Sequence, residues 1–221
     1  AEGLKSQGFD QVIVATGISP RELKLPGFDD DRVLSYLDVL RDKKEVGKKV
    51  AVIGAGGIGF DVSAALTQPK SHSLDLEAWL AYWGVDTDYK NRGAIKPMKD
   101  DPPVREVTLM QRKNTKVGAG LGKTSGWVHR AELKRAGVTM LNGVEYRSFS
   151  DKGLEIAIDG QVQYLDVDNV VVCAGQLSNN ILAEELTALG QSVEIIGGAS
   201  VAAELDAKRA IRQGAELAAK I

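Results

Sequence analysis

The chain has 221 residues, with 28 Lys and Arg against 30 Asp and Glu and a formal net charge of -2. That length allows a large core in one or two domains. The interspersed charges exclude a basic stripe for nucleic acid and a long acidic tail. Aromatics make up 5% of the chain, too few for a surface that stacks single strands. No apolar segment approaches the roughly 20 residues that span a bilayer, and no secretory leader pattern is read at the start. Cys173 is the only cysteine. It cannot form an internal disulfide, a Cys-ligated iron–sulfur cluster or a Cys-rich zinc site within this chain, and a cytoplasmic setting is expected.

Residues 1–11 hold no initiator Met and read as no complete structural unit, while 9–15 already read as a buried strand running into Thr16-Gly17. A strand so near the terminus predicts a piece cut from a longer polypeptide. Pro20, Pro26 and Gly27 mark 18–28 as an extended crossover, and Asp29, Asp30 and Asp31 as a solvated turn. Ser35 is placed to cap a short helix over 36–41, which Gly47 closes off.

The stretch 48–65 (KKVAVIGAGGIGFDVSAA) organises the chain. Residues 50–53 are short, apolar and rich in β-branched side chains, the pattern of a buried parallel strand. Gly54-Ala55-Gly56-Gly57-Ile58-Gly59 follows, and 60–66 reads as helix. Strand, G-x-G-x-x-G and helix in that order form a dinucleotide fingerprint. Gly54 allows the tight turn, Gly56 lets backbone approach a pyrophosphate, and Gly59 lets helix and strand pack closely. The helix start offers free N–H groups and its positive dipole end to the phosphates.

Residues 68–103 interrupt the pattern with a polar, proline-containing insertion that carries Trp79 and Trp83. Within it, 73–83 has helical spacing with Leu76, Leu80 and Trp83 on one side, and 86–101 has loop composition. An insertion of this length reads as a lid or an interface element. A strand returns at 104–111, tipped by Arg112 and Lys113. A glycine-rich turn over 117–126 leads to a helix over 127–136, stopped by Gly137. A strand at 138–141 precedes an antiparallel meander over 143–163, with Asp159-Gly160 as its hairpin signal. Residues 169–175 read as a buried strand, 181–189 as helix and 193–197 as a last strand. Gly198, Ala199 and Ser200 then open a final helix from Val201 to about Lys220. Residues 12–17 echo 170–175, each an apolar run ending in two small residues and Gly, which predicts two related nucleotide-binding folds, one nested in the other.

An NAD-type site places an acid about 20 residues beyond the glycines. Asp75 and Glu77 have that spacing but fall in the inserted helix. The second-strand tip, Gln111-Arg112-Lys113, carries two cations and no carboxylate, which favours the 2′-phosphate of NADP. Lys116 and Lys123 add to the same field. No residue is assigned as catalytic and no metal site is expected. His129 reads as structural or a neighbour of the cofactor, Cys173 as a small buried hydrophobe, and Glu204 and Asp206 as helix-surface or cap residues.

The chain resembles the C-terminal part of bacterial NADPH-dependent 2,4-dienoyl-CoA reductases, which group with the trimethylamine dehydrogenase-like members of the old-yellow-enzyme group. The resemblance rests on residues 12–21 (VIVATGISPR), 50–62 (VAVIGAGGIGFDV), 109–113 (LMQRK), 120–130 (GLGKTSGWVHR), 169–176 (NVVVCAGQ) and 196–214 (IGGASVAAELDAKRAIRQG), and it spans essentially the whole chain. It implies an α/β, Rossmann-like three-layer FAD/NAD(P)-binding fold with a parallel central sheet and a small antiparallel β-meander. It divides the chain into the end of the first half of an FAD domain with a crossover (1–45), an NADP-binding domain with insertion 68–103 (46–178), and the closing strand and helix of the FAD domain (179–221). The implied activity is hydride delivery in a cytoplasmic multi-cofactor flavoprotein of unsaturated fatty-acid oxidation. An N-terminal barrel with FMN and an iron–sulfur cluster, and the first FAD segment, would be partners in the longer chain. Gly54, Gly56, Gly57, Ile58 and Gly59 match the NADP phosphate loop, and Arg112 and Lys113 the 2′-phosphate end. Ala174 and Gly175 match the nicotinamide side. Gly198, Ser200 and Ala202 match the closing FAD contact, with the final helix start facing the flavin. Ala199 and Ser200 stand where such flavoproteins usually carry an Asp, so a nucleotide-binding scaffold or sensor without redox turnover is the alternative. A different flavin reductase, such as a demethylase or enone reductase, is a further one.

Overall fold

The fold is described from a computed structural model covering residues 1–68, 70–99, 101–203 and 207–221. In chain order the first elements are α1 (Glu2–Lys5), β1 (Val12–Val14), β2 (Ile18–Pro20), β3 (Val33–Ser35), α2 (Tyr36–Leu40), β4 (Lys49–Ile53), α3 (Gly57–Thr67), α4 (Leu76–Tyr82), β5 (Glu106–Met110) and α5 (Gly126–Arg135). They continue with β6 (Thr139–Leu141), β7 (Val144–Ser150), β8 (Gly153–Ile158), β9 (Gln161–Leu165), β10 (Asn169–Val172), β11 (Gln176–Ser178), α6 (Ile181–Ala188), β12 (Val193–Ile195) and α7 (Ala207–Ala218). Two compact units share the chain. Glu22–Ala174 forms one, and Ala1–Arg21 with Gly175–Ile221 forms the other, so the larger is nested in the sequence of the smaller.

The larger unit is built on a five-stranded parallel sheet in the order β3-β10-β4-β5-β6. Its central strand β4 is buried on both faces, and its side chains alternate between two apolar layers. Val50 and Val52 join Phe60, Val62, Leu66, Leu109 and Leu133 under the helices. Ala51 and Ile53 join Met110, Val170 and Val172 under a three-stranded antiparallel sheet, β7-β8-β9, which contributes Val144, Phe149, Leu154 and Ile156. The layers are therefore helices, parallel sheet and meander, the FAD/NAD(P)-binding Rossmann-like α/β fold that the resemblance implies. The meander turns at Asp159 (φ 51°) and Gly160 (φ 78°), the positive-φ pair of a tight hairpin. Ser35 caps α2 in a reciprocal box: the Asp38 N–H donates to Ser35 Oγ at 3.2 Å, and the Ser35 N–H donates to Asp38 Oδ2 at 2.8 Å. Strand β3 pairs with β10. The larger unit accordingly begins at Glu22 and ends at Ala174, whereas the sequence expected boundaries at 45 and 178.

The smaller unit holds the parallel pair β1-β12, the antiparallel ribbon β2-β11, and helices α1, α6 and α7. Its core is Val14, Ala183, Leu186 and Ala199. Two expectations change here. The first eleven residues hold a helical turn, α1, closed by backbone bonds to the carbonyls of Ala1 and Glu2. Val201 and Ala202 are not helical: the Val201 N–H donates to the Gly197 carbonyl at 3.2 Å, closing a turn, and the described last helix starts at Ala207. The roles given to Glu204 and Asp206 fall outside the described residues. Leu76, which the spacing sets on one side of a helix with Leu80 and Trp83, is 71% exposed on α4, whose first turn is capped by Asp75 Oδ1 accepting from the Ala78 N–H at 3.0 Å.

Candidate functional site

In an open parallel sheet, ligands bind beyond the carboxyl ends of the strands where the strand order reverses. In this sheet that point lies between β4 and β10, since β4 is followed by β5 on one side and flanked by β10 on the other. Gly54 ends β4 with φ 106°. Its N–H donates to the Met110 carbonyl at 2.8 Å, and the Cys173 N–H donates to the Ile53 carbonyl at 2.7 Å. A Cβ on Gly54 would stand 2.6 Å from the Cys173 carbonyl oxygen, so the turn demands glycine both for conformation and for space.

The remaining glycines divide into two kinds. A Cβ on Gly59 would lie 1.8 Å from the Gly54 carbonyl oxygen, so this glycine lets α3 press onto the end of β4. Gly56, the N-cap of α3, and Gly57, its first residue, are exposed, and a Cβ on either would meet nothing within 4 Å. The protein's own packing does not require glycine at those two positions. What they provide is bare backbone at the start of an eleven-residue helix, with unpaired N–H groups and the positive end of the dipole. Ile58 anchors that first turn by packing on the helix-side core. The arrangement fits the pyrophosphate of a dinucleotide.

The tip of β5 lies in the same unit. Gln111 organises it: its side-chain amide donates to the Lys113 carbonyl at 2.9 Å and the Thr115 carbonyl at 2.7 Å. Asn142 Nδ2 donates to the Thr115 carbonyl at 3.1 Å. The N–H groups of Gly143 and Val144 donate to the carbonyls of Lys113 and Gln111. Arg112, Lys113 and Lys116 stand exposed on this stitched loop, and among the described residues none of the three makes an ion pair. The clamp by Gln111 was not foreseen, because a glutamine at a strand tip carries no sequence signal that separates a loop clamp from a solvated side chain.

Ala174 closes the larger unit half-buried, just past β10. Beside it, burial pushes the Cys173 thiol up to about 12, consistent with a small hydrophobe. His129 is half-buried on α5 and lines a groove of about 480 Å³ with Asp61, Gln68, Lys70 and Glu132, alongside α3 rather than at the glycine turn. Tyr146 on β7 was also missed. Its hydroxyl is buried without a hydrogen-bond partner among the described residues, and burial pushes its pKa well above the usual tyrosine range against a lowering contribution from Arg112.

The other expected site residues belong to the smaller unit. Gly175 is exposed with φ 94°, and its carbonyl accepts from the Arg21 N–H. Gly198 is buried, and a Cβ there would stand 2.8 Å from Ile18 Cγ2, so close packing alone accounts for this glycine. Ser200 is exposed and Ala202 half-buried in the irregular segment before α7. Among the described residues no group of three or more His, Cys, Asp and Glu is placed to hold a metal ion, and no helix is long and apolar enough to cross a membrane.

A family model described as pyridine nucleotide-disulphide oxidoreductase matches residues 2–209. The chain belongs to that family. As a pyridine nucleotide-disulphide oxidoreductase domain it is of an FAD- and NAD(P)-binding, oxidoreductase type. It is 27% identical over 194 residues to a metal reductase of Desulforamulus reducens, covering 86% of this chain and 28% of that protein. It is 27% identical over 207 residues to a cinnamate reductase of Clostridium sporogenes, covering 90% of this chain and 25% of that protein. Among solved structures, a 2-naphthoyl-CoA reductase in complex with 2-naphthoyl-CoA superposes with a TM-score of 0.74 at 22% identity, over 100% of this chain and 28% of that one. The chain thus spans about a quarter of the length of the curated relatives it matches.

Proposed function

We propose that this oxidoreductase domain is the NADPH-binding, hydride-delivering portion of a multi-cofactor flavoprotein reductase. The observation that supports the reading most is the occurrence in one unit of bare backbone at Gly56 and Gly57 and of cations at the β5 tip that make no ion pair among the described residues. The N–H groups of the first α3 turn hold the pyrophosphate, and Arg112 grips the 2′-phosphate bidentately while Lys113 adds point charge. Ala174 and Gly175 border the nicotinamide side, and Gly198, Ser200 and Ala202 the flavin side. When bound, NADPH supplies a hydride and FAD accepts it; the protein contributes positioning and electrostatics, with no side chain of this chain acting as acid or base. On this reading the larger unit serves NADPH and the smaller unit closes a flavin domain, with a barrel carrying FMN and an iron–sulfur cluster elsewhere in a longer chain. The substrate class we favour is a conjugated acyl-CoA of the 2,4-dienoyl type, in a cytoplasmic enzyme. The name of the cinnamate reductase relative, which carries an unsaturated carboxylic acid, supports that class.

A second reading is favoured by one observation: Ala199 is buried and Ser200 exposed where a flavin-binding carboxylate is expected, so the domain would hold a nucleotide without turnover. Anaerobic addition of NADPH to the flavin-supplemented protein separates the two. Bleaching of the oxidised flavin absorption supports hydride delivery. Persistence of the colour while NADPH is bound supports the scaffold reading.

A further inference from the structure

We infer that Tyr146 is a specificity-determining residue at the adenosine end of the nucleotide, its hydroxyl donating a hydrogen bond to the 2′-phosphate that Arg112 draws in; the inference rests on the nucleotide reading above. Strand β7 starts from the β5 tip: Val144 N–H donates to the Gln111 carbonyl at 3.0 Å and Gly143 N–H to the Lys113 carbonyl at 3.2 Å. Val144 and Tyr146 are two residues apart and so share the inward face of β7. Both pack on the sheet-facing cluster, which includes Met110 at the end of β5 and Leu141 at the end of β6. The aromatic ring has a packing role that phenylalanine would fill equally well.

The hydroxyl has none. It is buried and lacks a partner among the described residues, a condition that costs stability and is rare in folded proteins. An unpaired buried donor beside a cationic loop is the complement of an anionic oxygen. Burial holds the phenol protonated, as a donor must be. The loop joined to the start of β7 by those backbone bonds carries Arg112, an exposed side chain without an ion pair among the described residues. On this inference a phosphate gripped by Arg112 brings its oxygens within reach of the hydroxyl, and the tyrosine acquires its missing partner only with a 2′-phosphorylated nucleotide. NADH, which lacks that phosphate, leaves it unpaired.

The test is calorimetric titration of NADPH and NADH into the wild-type chain, Tyr146→Phe, Arg112→Ala and the double variant. Tyr146→Phe is expected to raise the NADPH Kd about tenfold, the effect of losing one hydrogen bond to a charged group, and to leave the NADH Kd unchanged. Its Tm should be equal to wild type or higher, since an unsatisfied polar atom has been removed. In the Arg112→Ala background the tyrosine change should cost less, because both groups act on one phosphate. An unchanged NADPH Kd in Tyr146→Phe, or equal losses for NADPH and NADH, overturns the inference. If Arg112→Ala still weakens NADPH alone in that case, the nucleotide reading survives. If Arg112→Ala also moves neither ligand, both fall together.

Discussion

The two kinds of glycine in the phosphate turn predict opposite outcomes for the same substitution. In Gly59→Ala the new methyl would sit 1.8 Å from the Gly54 carbonyl oxygen, well inside van der Waals contact. Both partners are backbone, so relief requires α3 to move off β4, where Phe60, Val62 and Leu66 are packed with Val50 and Val52. Overpacking of this kind costs about 3 kcal/mol, at the upper end of the usual range because no flexible side chain can yield. For a domain of this size that lowers Tm by about 6–12 °C. In Gly56→Ala the methyl meets nothing within 4 Å and the backbone is extended, at φ -85° and ψ -172°. A slightly poorer cap is offset by a less flexible unfolded chain, so Tm should stay within about 2 °C. The methyl nevertheless stands where pyrophosphate must approach, and NADPH binding should fall at least about a hundredfold. Differential scanning calorimetry and isothermal titration on both variants check the pair. A Gly56→Ala protein that melts like Gly59→Ala, or that binds NADPH as wild type does, refutes the division of labour.

Further expectations follow from other parts of the larger unit. Gln111→Ala removes the amide that holds the 111–115 loop; it should cost about 1 kcal/mol of stability and weaken NADPH several-fold, measured by the same titrations. Cys173 should resist iodoacetamide at mildly alkaline pH in the folded protein and react in denaturant, because burial disfavours its thiolate. Asp30 is held near 2 by hydrogen bonds from Arg32. Asp38 is also held near 2, burial being outweighed by hydrogen bonds from Lys44 and Ser35. Folded values below the unfolded ones mean that this stability is present above about pH 4 and is lost as pH falls towards 2. Melting curves across that window should show Tm falling, and Asp38→Asn should flatten part of the slope; a slope unchanged by the substitution would contradict the assignment.

What was legible in the sequence is the part governed by local chemistry. The apolar run before Gly54 could only be a strand buried on both faces, and the glycine spacing placed α3 directly after it. Ser35 carried the helix cap, and Asp159-Gly160 the hairpin turn. Long-range pairing was not legible. Residues 33–35 are too short to announce whether they join β10, yet that pairing moves the unit boundary from 45 to 21. The last helix was extended too far towards its N-terminus because Val201 and Ala202 suit a helix, while the observed turn depends on the Gly197 carbonyl accepting from Val201. Leu76 fits a helical stripe in sequence, but a periodic pattern does not say whether a partner surface covers it. Tyr146 carried no signal of its own within the meander, since an unpaired hydroxyl is visible only once its surroundings are folded.

The central claim is that the turn after β4 and the cations after β5 together select an adenosine dinucleotide bearing a 2′-phosphate. Parallel titrations of the wild-type chain with NADPH and NADH at one ionic strength measure that selection directly. The account predicts NADPH binding tighter by at least about tenfold, as expected for charge-assisted hydrogen bonds to one phosphate. Equal affinities, or binding of neither nucleotide, would contradict it.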